Sequence, residues 1–146
     1  MLKKPFRYLP HTADAKFVAY GSSFKIALEN AALAMLGIMF ETDKIKNSKL
    51  SSKSVALKEA AHSKEDLVWY TLQGILSKAD ELSLHAYAFR VAKLEERKDT
   101  LRLSGFLLYK NVGDKFSLMD IKAITPHELS VINKNGRFEI TVVADV

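Results

Sequence analysis

The sequence predicts a single α+β domain, in which a largely antiparallel sheet packs with two main helices. Residues 24–40 and 67–78 repeat apolar side chains at three- and four-residue steps, as one face of a helix does. The second half of the chain instead alternates apolar and polar residues, with the period of a half-buried strand. Asn135-Gly136 predicts a tight hairpin there, because a type I′ turn needs positive φ at both central residues. Helices early in the chain and antiparallel strands late are typical of the α+β class.

The first elements are two strands and a helix. Residues 6–9 predict one strand, and residues 15–20 predict a second that Gly21 closes. Ser22 or Ser23 is placed to cap the helix, since a serine oxygen there accepts an unpaired backbone N–H. The apolar face of this helix consists of Phe24, Leu28, Ala31, Met35 and Met39.

The middle of the chain is predicted as a loop, a short strand and a second helix. Residues 42–52 are hydrophilic and are expected to form a loop, the most mobile region, before a strand within residues 53–60. The sequence Ser63-Lys64-Glu65-Asp66 resembles a capping box at a helix start. Gly74 weakens a helix interior by about 1 kcal/mol relative to alanine. We therefore expect it to mark close packing against a neighbour.

Antiparallel strands are predicted for the rest of the chain. Apolar and polar residues alternate in residues 87–92 and 101–105, on either side of a polar turn, and predict two strands. Two more strands are predicted at residues 117–124 and 128–132, separated by Thr125-Pro126-His127. In the last strand Phe138, Ile140, Val142 and Ala144 point to one face, and the intervening residues point to the other.

Length and composition predict one domain over residues 1–146 and a cytoplasmic location. A chain of 146 residues can bury a core without disulfides or a structural metal, and cysteine is absent, which excludes thiol nucleophiles and cysteine-bound zinc. The longest nearly apolar run, residues 31–40, is about half of what a membrane-spanning helix needs. The N-terminus has no apolar stretch of the secretory type. We therefore expect no membrane association.

The charge of +5 permits contact with RNA without indicating it. The 22 basic residues are scattered against 17 acidic ones, with neither an arginine-rich run nor a strand motif of interleaved aromatic and basic residues. Most of these lysines are interpreted as solvated surface, and direct RNA binding is left open.

Common catalytic motifs are missing from the sequence. It contains no phosphate-binding glycine loop, no H-E-x-x-H and no G-x-S-x-G, and its four histidines lack a two-histidine metal spacing. Nothing local pairs a serine nucleophile with a base. These absences disfavour classical hydrolysis and nucleotide chemistry. An independent metal-dependent enzyme is left as an alternative, disfavoured by the missing nucleophile and catalytic histidines.

Two short polar segments remain as candidate sites. Residues 11–14 lie between two predicted strands, and residues 144–146 follow another; the ordinary interpretations are a turn and a strand end. Asp14, Asp145 and the α-carboxylate of Val146 can nevertheless offer three anionic groups to a hard cation such as Ca²⁺, Mg²⁺ or Mn²⁺. That requires the last strand to lie beside Asp14, which sequence spacing does not show.

Several segments together resemble the archease family over nearly the whole chain. The opening His11-Thr12-Ala13-Asp14 is followed by Tyr20-Gly21-Ser22 and an alanine-rich helix. Residues 120–129 (Asp-Ile-Lys-Ala-Ile-Thr-Pro-His-Glu-Leu) are similar to the family's "VKAVTYH" block, and Asp145-Val146 is similar to its acidic terminus. Residues 66–76 resemble its "DWLNELL"-like helix.

The resemblance implies an activator of an RtcB-type RNA ligase, which joins tRNA halves after intron removal. Such a protein promotes ligase guanylylation and repeated turnover without being an enzyme itself. The family's metal ligands, of calcium type with Mg²⁺ or Mn²⁺ as alternatives, fall on Asp14, Asp145 and Val146. The lysine of its "VKA" block and the histidine that follows fall on Lys122 and His127, as candidate partner contacts. The alternative is a chaperone or adaptor for other RNA-processing enzymes, such as tRNA methyltransferases.

The chain departs from the family pattern at several positions near these residues. Lys16 follows Asp14 closely and can partly neutralise an acidic site, and Pro126 stands where an aromatic residue is common. For Lys122 the plain interpretation is a solvent-facing strand residue paired with Asp120, a contact worth about 0–1 kcal/mol. For His127 it is a structural turn residue.

Overall fold

A computed structural model describes residues 4–10 and 14–146, and it confirms the predicted α+β class. Among these residues no helix is long and apolar enough to cross a membrane. In chain order the elements are β1 (Phe6–Leu9), β2 (Ala15–Gly21), α1 (Phe24–Met39), α2 (Thr42–Asn47), β3 (Lys53–Ala61), α3 (Lys64–Glu81), β4 (Ala86–Arg97), β5 (Thr100–Tyr109), a 3₁₀ turn (Gly113–Phe116), β6 (Ala123–Lys134) and β7 (Arg137–Asp145).

The strands form two antiparallel sheets that the two long helices join. One sheet has the order β1-β2-β7-β6 and the other the order β3-β5-β4. Helix α1 contacts β1, β2 and β7 of the first sheet and β4 of the second, while α3 contacts β3 and β5 of the second and β6 of the first. Each helix therefore packs against both sheets, and the core lies around the helices.

The two helices begin where the sequence predicts. Ser23 Oγ accepts a hydrogen bond from Ile26 N at 3.2 Å, and Ser63 Oγ accepts one from Asp66 N at 3.1 Å. Helix α1 is buried on more than one face, as a helix between two sheets must be. Its buried residues are Phe24, Ala27, Leu28, Ala31, Ala32, Ala34, Met35 and Leu36.

Gly74 lets α3 approach β3 closely, as its position in the helix predicts. A Cβ at Gly74 would lie 2.7 Å from Glu59 Oε2 and 3.1 Å from Leu57 Cδ1. The same packing buries part of Glu59, and this desolvation raises the pKa of its carboxyl group.

Side chains of the helices hydrogen-bond the main chain of two edge strands. Ile124 on β6 donates its N–H to Gln73 Oε1 at 2.6 Å, and its carbonyl accepts from Trp69 Nε1 at 2.8 Å. Val91 N on β4 donates to Glu29 Oε2 at 2.8 Å. An edge strand has no partner on one side, so the helices satisfy main-chain groups that would otherwise be buried without a partner.

The prediction of a mobile loop at residues 42–52 is wrong for its first half. Residues Thr42–Asn47 form helix α2, and Ile45 is fully buried. The buried side chain of Lys110 donates from Nζ to Lys46 O at 2.7 Å and to Ser48 O at 2.9 Å. A cation at a helix C-terminus satisfies carbonyls that have no partner within the helix, so a distant residue stabilises this segment.

The prediction of a strand at residues 117–124 is wrong for most of its length, although Ser117 pairs with Phe40 in an isolated β-bridge and residues 123 and 124 begin β6. Residues 117–122 are irregular, and they are held by hydrogen bonds from Leu118 N to Met39 O (2.8 Å) and from Lys122 N to Asp145 O (2.7 Å). The two predicted strands that flank Thr125-Pro126-His127 are one strand, β6, with a register shift between Thr125 and Ser130. Proline lacks an N–H for the ladder, which favours such a bulge.

The C-terminal hairpin is confirmed. Asn135 and Gly136 both have positive φ, at 55° and 79°, as a type I′ turn requires. Along β7 the predicted inward residues Ile140, Val142 and Ala144 are buried in the core, with Phe138 packed against it.

We expect Gln73→Leu to lower the free energy of unfolding by about 1–3 kcal/mol, because the buried N–H of Ile124 loses its acceptor. Urea denaturation followed by circular dichroism measures this. Ser77→Ala, at an exposed position one helical turn away, should change the free energy of unfolding by less than about 0.5 kcal/mol. Equal stability of the two variants would show that the hydrogen bond contributes nothing.

Lys110→Met should loosen α2, because the apolar stem of the side chain stays while the donor to two carbonyls is lost. We expect the free energy of unfolding to fall by about 1–3 kcal/mol. Amide hydrogen exchange should become faster in residues 42–48 before other segments. Lys115→Met, at an exposed lysine, is the matched control. Unchanged exchange in α2 would contradict the capping role.

Candidate functional site

The pairing of β2 with β7 brings the two candidate aspartates to the same end of the four-stranded sheet. Ala15 pairs with Ala144 in an antiparallel register, so Asp14, which precedes Ala15, and Asp145, which follows Ala144, lie at the same end of this strand pair. Asp14 is half-buried and Asp145 is exposed. A shared cation site requires the last strand to lie beside Asp14, and the pairing of β2 with β7 meets this requirement.

Two further candidate residues adjoin Asp145. Val146 follows it, half-buried and packed against the core. Lys122 donates its main-chain N–H to Asp145 O at 2.7 Å, and its side chain is exposed. We call Asp14, Asp145 and Val146 the acidic end, and Lys122 lies directly beside it. Lys122 lies outside the strands, contrary to its interpretation as a strand residue.

Lys16 forms an ion pair with Glu128, which is not one of the candidate metal ligands. Its Nζ lies 3.0 Å from Glu128 Oε1, in an ion pair that joins β2 to the β6 bulge across β7. The expectation that Lys16 neutralises the acidic end is therefore weakened, because its charge is shared with Glu128. Glu128 adopts a positive φ of 62°, which orients its side chain out of the regular ladder.

His127 belongs to the same bulge and presents its ring to solvent. Its main-chain N–H donates to Thr125 Oγ1 at 2.9 Å, which closes a short turn, and its side chain is 84% exposed. The residue therefore combines a structural main chain with an accessible imidazole. The interpretation as a turn residue is confirmed for the main chain, and the role of the ring as a partner contact stays a prediction.

The acidic end offers the donor chemistry of a hard cation. Two carboxylates and the main-chain oxygens of Val146 are oxygen ligands, which suit Ca²⁺, Mg²⁺ or Mn²⁺ rather than a thiolate-seeking metal. Within residues 4–10 and 14–146 there is no group of three or more His, Cys, Asp or Glu side chains placed to hold a metal. His11, Thr12 and Ala13, the rest of the N-terminal motif, lie outside the described residues.

An exposed apolar pair lies close to the acidic end, and the sequence analysis missed it. Leu118 and Met119 are 57% and 52% exposed. Together with Tyr8, Ala15, Lys16 and Ile38 they line an open cavity of about 410 Å³. The signal in the sequence is two adjacent large apolar residues between Ser117 and Asp120, which the predicted strand obscured.

A larger cavity, of about 620 Å³, lies on the other side of Lys122. Its lining includes Gln73, Asp120 and a hydrogen-bonded pair in which His85 Nε2 lies 3.0 Å from Asp114 Oδ1. The His85 ring also packs edge-on against Phe40, with 5.7 Å between ring centroids. His85 is thus held in place by a hydrogen bond on one side and by packing against an aromatic ring on another.

Comparison with known proteins identifies one family. The model of the archease protein family matches residues 6–146. The archease of Methanosarcina barkeri is 30% identical over 149 aligned positions, which cover 98% of this chain and 97% of that protein. The archease of Methanothermobacter thermautotrophicus is 27% identical over 144 positions, covering 98% of this chain and 99% of that protein.

Solved structures share the fold over the full length. The solution structure of protein 1598 of Methanobacterium thermoautotrophicum superposes with a TM-score of 0.81 at 25% identity, covering 97% of this chain and 99% of that one. The crystal structure of an archease from Thermotoga maritima, described as a possible chaperone, has a TM-score of 0.60 at 19% identity, covering 100% of this chain and 98% of that one. With the family model spanning both sheets and all the helices described above, this chain belongs to the archease family.

Proposed function

We propose that this protein is a non-catalytic activator of an RtcB-type tRNA-splicing RNA ligase, and that its acidic end binds a divalent cation. The activator would speed the guanylylation of the ligase and allow the ligase to turn over repeatedly. Ca²⁺ is the first candidate for the cation, with Mg²⁺ or Mn²⁺ as alternatives. The observation that carries the proposal is the pairing of Ala15 with Ala144, which puts Asp14 and Asp145 together.

The chain's own residues would hold the cation through oxygen atoms. Asp14 and Asp145 would supply carboxylates, and Val146 a main-chain oxygen. When bound, a divalent cation neutralises the two carboxylates and can share its remaining coordination positions with oxygens of a partner. Without it, two neighbouring carboxylates repel each other and any acidic partner surface.

The surroundings of the acidic end support a role in binding another protein. Leu118 and Met119 expose apolar surface at this end, and protein interfaces typically have an apolar centre with a polar rim. Lys122 beside Asp145, and His127 on the nearby bulge, would belong to that polar rim. Activation further requires that the protein bind the reactive ligase conformation more tightly than the resting one, because equal affinity shifts no equilibrium.

A chaperone or adaptor for other RNA-processing enzymes, such as tRNA methyltransferases, is the second candidate. The description of the Thermotoga maritima relative as a possible chaperone favours it. Both functions would use the same exposed end to bind a partner protein. They differ in whether the turnover of the ligase rises.

In a multiple-turnover ligation of tRNA halves by the cognate ligase with GTP and Mn²⁺, we expect this protein to stimulate joining. Asp14→Asn and Asp145→Asn should reduce the stimulation by at least about tenfold, since even changes behind metal ligands cost about 10–100-fold. Asp43→Asn, at an exposed aspartate of α2, is the matched control. Gel analysis of the joined product measures the rate.

The ligation assay separates the two candidates. If the wild-type protein leaves ligase turnover unchanged, the activator function is wrong. Affinity capture that then recovers a tRNA methyltransferase and no ligase would establish the adaptor function in its place.

The cation site can be tested without the ligase. After chelation, adding Ca²⁺ should raise the melting temperature of the wild-type protein, because a ligand at about 100 times its Kd stabilises the folded state by about 2.7 kcal/mol. Asp14→Asn and Asp145→Asn should abolish this rise, and Asp43→Asn should retain it. Identical melting of the wild type with chelator, Ca²⁺, Mg²⁺ and Mn²⁺ would rule out the site.

A further inference from the structure

The three-stranded sheet has one face turned away from the helices. Residues alternate along its central strand β5, where Leu103 and Leu107 are buried in the core while Arg102 and Phe106 are exposed. We call the side that bears Arg102 and Phe106 the outer face. Since α1 and α3 contact this sheet from the core side, the outer face is open to a ligand.

The strand register gathers basic residues on the outer face. Arg90 of β4 lies directly opposite Phe106, and Lys58 of β3 and Lys93 of β4 lie opposite Ser104 from either side. On the next rows Glu95 lies opposite Arg102, and Arg97 lies opposite Thr100. The paired positions of this face therefore carry five basic side chains and one carboxylate: Lys58, Arg90, Lys93, Arg97, Arg102 and Glu95.

Three of these cations take no part in the ion pairs of this face. Glu95 is occupied by Lys93, whose Nζ lies 2.6 Å from Oε1, and by Arg97, whose Nε lies 3.6 Å from Oε2. Within the part of the chain that the structure describes, the remaining three form no ion pair. They are Lys58, Arg90 and Arg102. The charges of Lys58 and Arg90 are available to an anion, and Arg102, whose charge also acts on Glu95 opposite it, adds to the positive charge beside them.

Phe106 provides an aromatic surface in the middle of this basic area. It is 43% exposed on the central strand, between Ala56 on one side and Arg90 on the other. The small Ala56 side chain leaves room beside the ring. Next to it lies a trough of about 410 Å³, lined by basic and acidic side chains: Lys58, Lys93, Arg102, Glu59 and Glu95.

We propose that the outer face binds single-stranded RNA, with a base stacked on Phe106 and phosphates held by Lys58, Arg90 and Arg102. An exposed aromatic ring on a sheet, flanked by cations, suits unpaired nucleotides, since every base has a face to stack and every phosphate a charge to neutralise. A duplex keeps its bases stacked and cannot use the ring. This inference goes beyond the ligase proposal, and it is tested on the protein alone.

The test is fluorescence anisotropy with a labelled single-stranded uridine 12-mer at several salt concentrations. Phe106→Ala should weaken binding about 5- to 150-fold, the range expected for loss of one stacked base. Phe106→Tyr should restore wild-type affinity, because the ring is retained. Arg102→Gln and Lys58→Gln should each reduce the slope of log K against log salt by about 0.7.

Matched controls lie on the other sheet. Ile132→Ala, at an exposed apolar residue of β6, and Lys134→Gln, at an exposed lysine of that strand, should leave RNA binding unchanged. All variants change exposed side chains, and their melting curves verify that they fold.

Three results would overturn the proposal. They are failure of the wild type to bind the 12-mer at low salt, equal affinity for a duplex of the same length, and wild-type binding by Phe106→Ala. Equal binding of a poly-glutamate peptide would show a general anion surface suited to an acidic protein instead. Because none of these measurements includes the ligase, they do not depend on the outcome of the ligation assay.

Discussion

The hydrogen bonds that α3 makes to Ile124 hold together the end of the molecule that carries the proposed cation site. Trp69 and Gln73, one helical turn apart, satisfy both main-chain groups of Ile124 at the start of edge strand β6. Ile124 pairs with Ala144 of β7, and Ala144 pairs with Ala15 of β2. The helix therefore positions a row of three strands whose end carries Asp14 and Asp145.

The arrangement of two sheets around two helices separates the surface into areas of different chemistry. The end of the four-stranded sheet combines carboxylates with the exposed apolar pair Leu118 and Met119, which suits a cation and a partner protein. The outer face of the three-stranded sheet is basic around Phe106, which suits a polyanion. A protein with both surfaces can contact an RNA-processing enzyme and its RNA at once, as the two proposals together require.

Sequence reasoning succeeded where the signal is local and failed where a distant residue decides. Serine caps, apolar spacing and Asn135-Gly136 predicted the helices and the hairpin, because each depends on neighbours in the chain. Helix α2 was missed because the partner of its last carbonyls is Lys110, more than sixty residues away. The irregular segment 117–122 was missed because its hydrogen bonds go to Met39 at the end of α1 and to Asp145 at the end of β7, both distant in the sequence.

The sequence by itself determined the fold class, the family resemblance and the residue types of both candidate surfaces. Only the tertiary structure decided which of these residues meet. Asp14 and Asp145 are at opposite ends of the chain, and only the register of β2 with β7 brings them together. The basic residues around Phe106 look scattered in the sequence because they come from three strands, and pairing of those strands collects them on one face. Strand register is set by the burial of alternate side chains across the whole core, which no single segment specifies.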